Sequence, residues 1–160
     1  MRSKVIVPAM GAVALSLVGC GSSGTGKTNR SGVQGSSASA SASPPTPIYR
    51  IPLNGKAEVP PGAPTGRGAA IIAFHGDSTV CWRFAHLHGF TSATFAHIHQ
   101  GSKGHSGNIV VPLSTAPRLH HQGCVTLSPV LTKAIWHAPS RYYVNIHSTH
   151  YPGGAVRGQL

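Results

Sequence analysis

The chain has 160 residues, a formal net charge of +11 and only two acidic residues, Glu58 and Asp77. Its length leaves room for one domain of ordinary size and a tail, and two acids are too few to favour hydrolysis by paired carboxylates. The positive charge favours anionic partners, but the basic residues are scattered and form no run interleaved with aromatics, which argues against nucleic-acid binding.

Residues 1–19 have the pattern of an export signal. Arg2 and Lys4 precede the apolar stretch 5–18, which is too short to cross a bilayer comfortably but suits a signal-peptide core. The stretch leads into Gly19-Cys20, which resembles the end of the bacterial lipobox, whose cysteine is lipidated and becomes the first mature residue. A diacylglyceryl group and palmitate on Cys20 would anchor the protein at the extracytoplasmic face of the cell membrane. The alternative is a plain secretory signal with an incidental cysteine.

Residues 20–47 follow as a predicted tether. They are rich in Gly, Ser, Thr, Ala and Pro and have almost no apolar bulk, so they cannot offset the entropy lost on ordering. We therefore expect a disordered segment that holds a folded domain, residues 48–160, away from the membrane.

The domain is predicted to be all-β with one short helix. Short β-branched and aromatic runs separated by Gly, Pro and Asn are typical of a small antiparallel sandwich or barrel. The predicted strands are 49–53, 68–75, 79–88, 93–100, 108–113, 123–127, 142–147 and 155–159. Residues 128–137 begin with Ser-Pro and place apolar residues Val130, Leu131, Ala134 and Ile135 at helical spacing, which predicts the helix.

Two cysteines, Cys81 and Cys124, remain if Cys20 is lipidated. In an exported chain they face an oxidising space, so a disulfide between them is expected. A catalytic thiol is the alternative, but an exported thiol without a setting that lowers its pKa tends to oxidise.

The chain contains eleven histidines, and four of them have the spacing of a site. His97 and His99 alternate on one face of a predicted strand, and His147 has the same relation to Tyr143 and Asn145 on another. A Gly-rich turn, residues 101–107, could fold His105 back toward the pair. Imidazoles at such spacing are suited to copper or zinc.

A structural role competes with metal binding for the same histidines. His97 could hydrogen-bond Asn145 or Ser148 across neighbouring strands, because buried polar groups are normally satisfied internally. If a metal binds instead, its affinity should fall as the pH drops below about 6.5, the unperturbed value for histidine.

Four ordered motifs identify a family resemblance. They are residues 96–101 (Ala-His-Ile-His-Gln-Gly), 123–125 (Gly-Cys-Val), 143–148 (Tyr-Val-Asn-Ile-His-Ser) and 152–160 (Pro-Gly-Gly-Ala-Val-Arg-Gly-Gln-Leu). Together they resemble the CHRD domain, first described as a repeat in chordin, over residues 48–160. The resemblance implies a structural role for the Glu-Val-Pro-Pro element that begins at Glu58.

The histidines also resemble, in their order along the chain, the copper ligands of Cu/Zn superoxide dismutases. Those enzymes need, for zinc, an Asp and three histidines at a spacing that this sequence lacks. The expected fold is an immunoglobulin-like or superoxide-dismutase-like antiparallel sandwich. The expected function is that of a non-enzymatic, membrane-anchored lipoprotein that serves as a binding module, with anionic cell-surface polymers or a protein ligand as candidate partners. The alternative is a copper or zinc protein, dismutase-like or not.

Overall fold

The computed structural model describes residues 46–115 and 117–160. Cys20, the predicted signal peptide and nearly all of the predicted tether lie outside the described residues. The eight strands are β1 (Ile48–Asn54), β2 (Arg67–His75), β3 (Thr79–His88), β4 (Ala93–Gln100), β5 (Ile109–Ser114), β6 (Gln122–Thr126), β7 (Tyr142–Ser148) and β8 (Val156–Gln159). The single α-helix of this part is α1 (Pro129–His137), and short 3-10 turns occupy Gly55–Ala57 and Pro139–Arg141. In this part of the chain no helix is long and apolar enough to cross a membrane.

The strands form one antiparallel sheet that nearly closes on itself. Their order is β5-β4-β7-β8-β1-β2-β3-β6. β8 and β1 share a single paired position, Arg157 opposite Asn54, so the sheet divides there into two four-stranded halves. The outermost strands, β5 and β6, lie against each other. This architecture confirms the predicted all-β sandwich with one short helix.

The core fills the space between the two halves of the sheet. Apolar side chains occupy alternate positions of the central strands and therefore all point to the same side. Ile72, Phe74, Ile98, Val144 and Ile146 have no exposed surface. The opposite sides of β4 and β7 are consequently free to carry polar side chains.

Helix α1 begins at the predicted place and packs most of the predicted apolar face against the core. The Ser128 hydroxyl accepts a hydrogen bond from the backbone N–H of Leu131 at 3.2 Å, which caps the first turn. Thr132 and Ile135 are buried, whereas Val130, which the periodicity placed on the apolar face, is 79% exposed. Val130 lies two positions before Thr132, a rotation of about 200° around the helix, and so points away from the sheet.

The predicted disulfide joins two neighbouring strands. Cys81 of β3 lies directly opposite Cys124 of β6, and the two sulfurs are bonded. Beside it the indole N–H of Trp82 donates to the carbonyl of His120 at 3.1 Å. These contacts fix the edge strand β6 to β3.

Candidate metal centre

β4 and β7 lie side by side and carry most of the candidate residues. In their register His97 lies opposite Asn145 and His99 lies opposite Tyr143. Because side chains alternate along a strand, these four residues share one face with His147. That face points away from the core, so its polar groups must be satisfied by loops or by a ligand.

Three histidines converge on this face. One ring nitrogen from each of His97, His99 and His147 lies within 4.8 Å of the other two. The closest approach joins Nδ1 of His97 to Nε2 of His147, at 3.2 Å. Two nitrogen ligands that each lie about 2.0–2.1 Å from one tetrahedral zinc ion are about 3.3 Å apart. The spacing therefore fits either a hydrogen bond between the rings or two ligands of one ion.

Backbone carbonyls fix the protons on two of these rings. Nδ1 of His99 donates to the carbonyl of Gly107 at 2.9 Å, and Nδ1 of His147 donates to the carbonyl of Pro152 at 2.8 Å. A neutral imidazole has one N–H, so in both rings Nε2 carries the lone pair. Metal-binding histidines commonly donate their second ring N–H to a carbonyl in this way.

Aromatic and cationic groups hold His99 from the side. The ring of Tyr143 is parallel to that of His99, with centroids 4.7 Å apart. The Arg157 guanidinium carbon lies 3.4 Å from the centroid of the Tyr143 ring, and the Tyr143 hydroxyl accepts a hydrogen bond from the N–H of Gly107 at 3.3 Å. The ring of Phe95 stacks on that of His97, with ring centroids 6.4 Å apart. The side chains of both β4 histidines are therefore restrained.

The Gly-rich loop, residues 101–107, is tied down by two side chains of β8. Arg157 donates to the carbonyls of His105 and Ser102, each at 2.9 Å. Gln159 donates to the carbonyl of Gly101, also at 2.9 Å. The loop is thereby held where its last residue can accept the His99 N–H.

The environment keeps the β4 imidazoles neutral. Burial lowers the pKa of His97 to about 4, and electrostatic repulsion from His147 and His99 adds to this effect. The pKa of His99 is also lowered, mainly by burial, against hydrogen bonds to Gly107 and Asn145 that would stabilise the protonated ring. Both rings therefore keep a lone pair at neutral pH, as a metal ligand must.

A buried carboxyl group lies near the cluster. Glu58 is 5% exposed, and burial raises its pKa to about 7 against smaller opposing effects of Arg157, a hydrogen bond from Asn145 and the backbone of Val59. Its Oε1 is buried and has no hydrogen-bond partner among the described residues.

The structure brings together three of the four histidines that the sequence singled out. His105 is exposed and does not belong to the cluster. The reason is that its backbone carbonyl is bound by Arg157, which turns this part of the loop toward β8 while the imidazole faces solvent. The expectation that His105 folds back toward the pair was wrong.

The predicted cross-strand contact of His97 also differs. His97 faces His147, and the histidine that contacts Asn145 is His99, whose Nε2 lies 3.1 Å from Oδ1 of Asn145. Within residues 46–115 and 117–160 no second group of three metal-ligating side chains occurs. The described part of the chain therefore offers no counterpart of the zinc site of superoxide dismutases.

Sequence reasoning missed three contributors to the site. Arg157 counted only as one of many scattered cations, Glu58 was given a structural role, and the carbonyl of Pro152 was not considered. A usable signal existed for Arg157, because a lone charged residue within an apolar closing strand rarely lies inside a domain without fixed partners. No local pattern indicates a carbonyl acceptor.

Comparison with known proteins gives one match. The family model described as CHRD domain matches residues 49–160. Neither the curated proteins nor the solved structures contain a match to the chain.

Proposed function

Because this chain belongs to the CHRD domain family, we propose that it is a membrane-anchored binding module whose ligand is a copper or zinc ion. The ion is held by His97, His99 and His147. The observation that carries the proposal is the convergence of one ring nitrogen from each of these residues to within 4.8 Å.

The donor set and its surroundings support this ligand. Imidazole nitrogens suit copper and zinc better than magnesium or calcium, which prefer oxygen. The Nε2 atoms of His99 and His147 are available because the other nitrogen of each ring donates to a backbone carbonyl. In the proposed module the histidines bind and hold the ion, and no residue is assigned a catalytic role.

Titration of the purified, metal-free chain with Zn²⁺ or Cu²⁺ tests the proposal. We expect one ion per chain at pH 8, with a dissociation constant of roughly 1 µM or lower. Because the pKa values of His97 and His99 are lowered, protons compete weakly for these two ligands. Affinity should therefore change less than about tenfold between pH 8 and pH 6, and fall steeply toward pH 4.

Thermal unfolding supplies the independent readout. An ion that binds only the folded state raises the melting temperature by mass action. A melting temperature unchanged by a hundredfold excess of either metal, together with no binding by titration, would leave these histidines as purely structural groups.

We also propose that Cys20 is lipidated and places the domain at the extracytoplasmic face of the cell membrane. The Leu-Val-Gly-Cys sequence that ends the apolar stretch supports this. The tether then holds a strongly basic domain close to anionic surface polymers, with which it would associate through long-range attraction.

Cys20→Ser is expected to abolish lipid labelling and release the protein into the medium, because the lipid on Cys20 supplies the anchor. Fractionation and labelling with a fatty-acid analogue measure the effect. Ser22→Ala is the matched control and should stay in the membrane fraction. A Cys20→Ser protein that remained membrane-bound with unchanged mobility would contradict the assignment.

A further inference from the structure

Asn145 lies at the centre of the polar face of β7 and is almost completely buried, at 2% exposure. Its position, two residues before His147, places it on the same side of the strand. Its side-chain oxygen, Oδ1, lies 3.1 Å from Nε2 of His99. The amide therefore contacts His99 and lies on the same face as His97 and His147.

The contact between Asn145 and His99 joins two acceptors. The Nδ1 proton of His99 is already donated to Gly107, so Nε2 of the neutral ring carries a lone pair. An amide oxygen also has only lone pairs to offer. With no proton between them, the two atoms repel each other unless a cation lies in front of both.

The other end of the amide explains its orientation. Asn145 lowers the pKa of the Glu58 carboxyl group as a hydrogen-bond donor, and only Nδ2 of the amide carries hydrogen atoms to donate. When Nδ2 faces Glu58, Oδ1 must face His99. The buried carboxyl therefore aims the amide oxygen at the histidine cluster.

We propose that Oδ1 of Asn145 is the fourth ligand of the metal ion, so that the site has three nitrogens and one oxygen. This inference rests on the proposed function. Oδ1 of Asn145 lies 3.1 Å from Nε2 of His99, and Nδ1 of His97 lies 3.2 Å from Nε2 of His147. Both distances are close to the spacing of two ligand atoms on one tetrahedral ion.

A fourth protein ligand has two chemical consequences. It closes the coordination shell, as in zinc sites that bind without catalysis, which keep no open position. It also favours the divalent ions, because an amide oxygen is a hard donor that adds little for the softer Cu⁺. The site should thus prefer Zn²⁺ and Cu²⁺ over Cu⁺ more strongly than three imidazoles alone.

Asn145→Leu tests the assignment, since leucine has a similar volume and no donor atom. In the full chain at pH 8 we expect the variant to bind Zn²⁺ and Cu²⁺ at least tenfold more weakly, a loss within the range of about 10–100-fold seen when groups around a metal are changed. Cu⁺ affinity should change less than about threefold. The electron paramagnetic resonance spectrum of bound Cu²⁺ should keep its three-nitrogen pattern while its parallel hyperfine splitting changes.

Asn145→Asp is the matched variant, because it keeps an oxygen at the Oδ1 position. We expect its Zn²⁺ and Cu²⁺ affinities to equal or exceed those of the unchanged chain. Asn145→Asp also tests the proposal if the leucine variant does not fold. A Zn²⁺ or Cu²⁺ affinity of Asn145→Asp more than tenfold below that of the unchanged chain would then overturn the proposal.

Two results separate this inference from the proposed function. If the amide instead donated Nδ2–H to His99, it would compete with the metal, and Asn145→Leu would bind Zn²⁺ as tightly as the unchanged chain or more tightly. That result overturns the fourth ligand and leaves the three-histidine site in place. A chain that bound neither Zn²⁺ nor Cu²⁺ before any substitution would overturn both.

Discussion

His99→Ala is expected to lower the affinity for Zn²⁺ and Cu²⁺ by more than about 100-fold, because altering only an outer partner of a ligand already costs about 10–100-fold. His99 is the most buried of the three histidines, at 8% exposure. No neighbouring histidine can replace it, since the strand fixes its position between Tyr143 and Gly107. Calorimetric titration and elemental analysis of the dialysed protein measure the loss.

His88→Ala is the matched control, because the chain carries a second His-x-His pair on β3. His86 and His88 are both exposed and do not belong to the cluster. Their spacing in sequence is the same as that of His97 and His99, so this variant separates the sequence motif from the three-dimensional site. Equal metal affinity of His99→Ala and His88→Ala would contradict the proposed site.

The sequence predicted the pair on β4 but not the full set of neighbours. Alternation along a strand is a local property, so the common face of His97 and His99 follows from the residues between them. The meeting with His147 depends on β4 and β7 being neighbours, which only the sheet order determines. The sandwich class was predictable because turn residues and apolar runs alternate along the whole domain.

Loop positions were not predictable for a different reason. The direction of the His105 side chain is set by a hydrogen bond that Arg157 makes from 52 positions away in the sequence. A Gly-rich loop has no strong local preference of its own. The same long-range tie determines where the loop ends, and hence which carbonyl accepts the N–H of His99.

Arg157→Ala is expected to destabilise the domain and to weaken metal binding through this loop. Arg157 is 2% exposed, and its guanidinium group donates to the carbonyls of Ser102 and His105 and to the side chain of Gln159. Hydrogen bonds from a charged group contribute about 1.5–3 kcal/mol each and are not additive. With the loss of the contact to the Tyr143 ring, we expect the free energy of unfolding to fall by about 3–5 kcal/mol, measured by urea denaturation of the metal-free chain.

The affinity for Zn²⁺ gives a second measure of the effect of Arg157→Ala on the loop. Once the loop is released, the carbonyl of Gly107 no longer holds the His99 ring, and affinity for Zn²⁺ should drop by about 10–100-fold. Arg157→Lys keeps the charge but not the planar fork that reaches two carbonyls at once, so it should recover less than half of the lost stability. Arg83→Ala, at an exposed cation of β3, should leave both quantities unchanged. If Arg157→Ala lost stability but bound Zn²⁺ like the unchanged chain, the loop would not orient His99, and its contact with Gly107 would be incidental to binding.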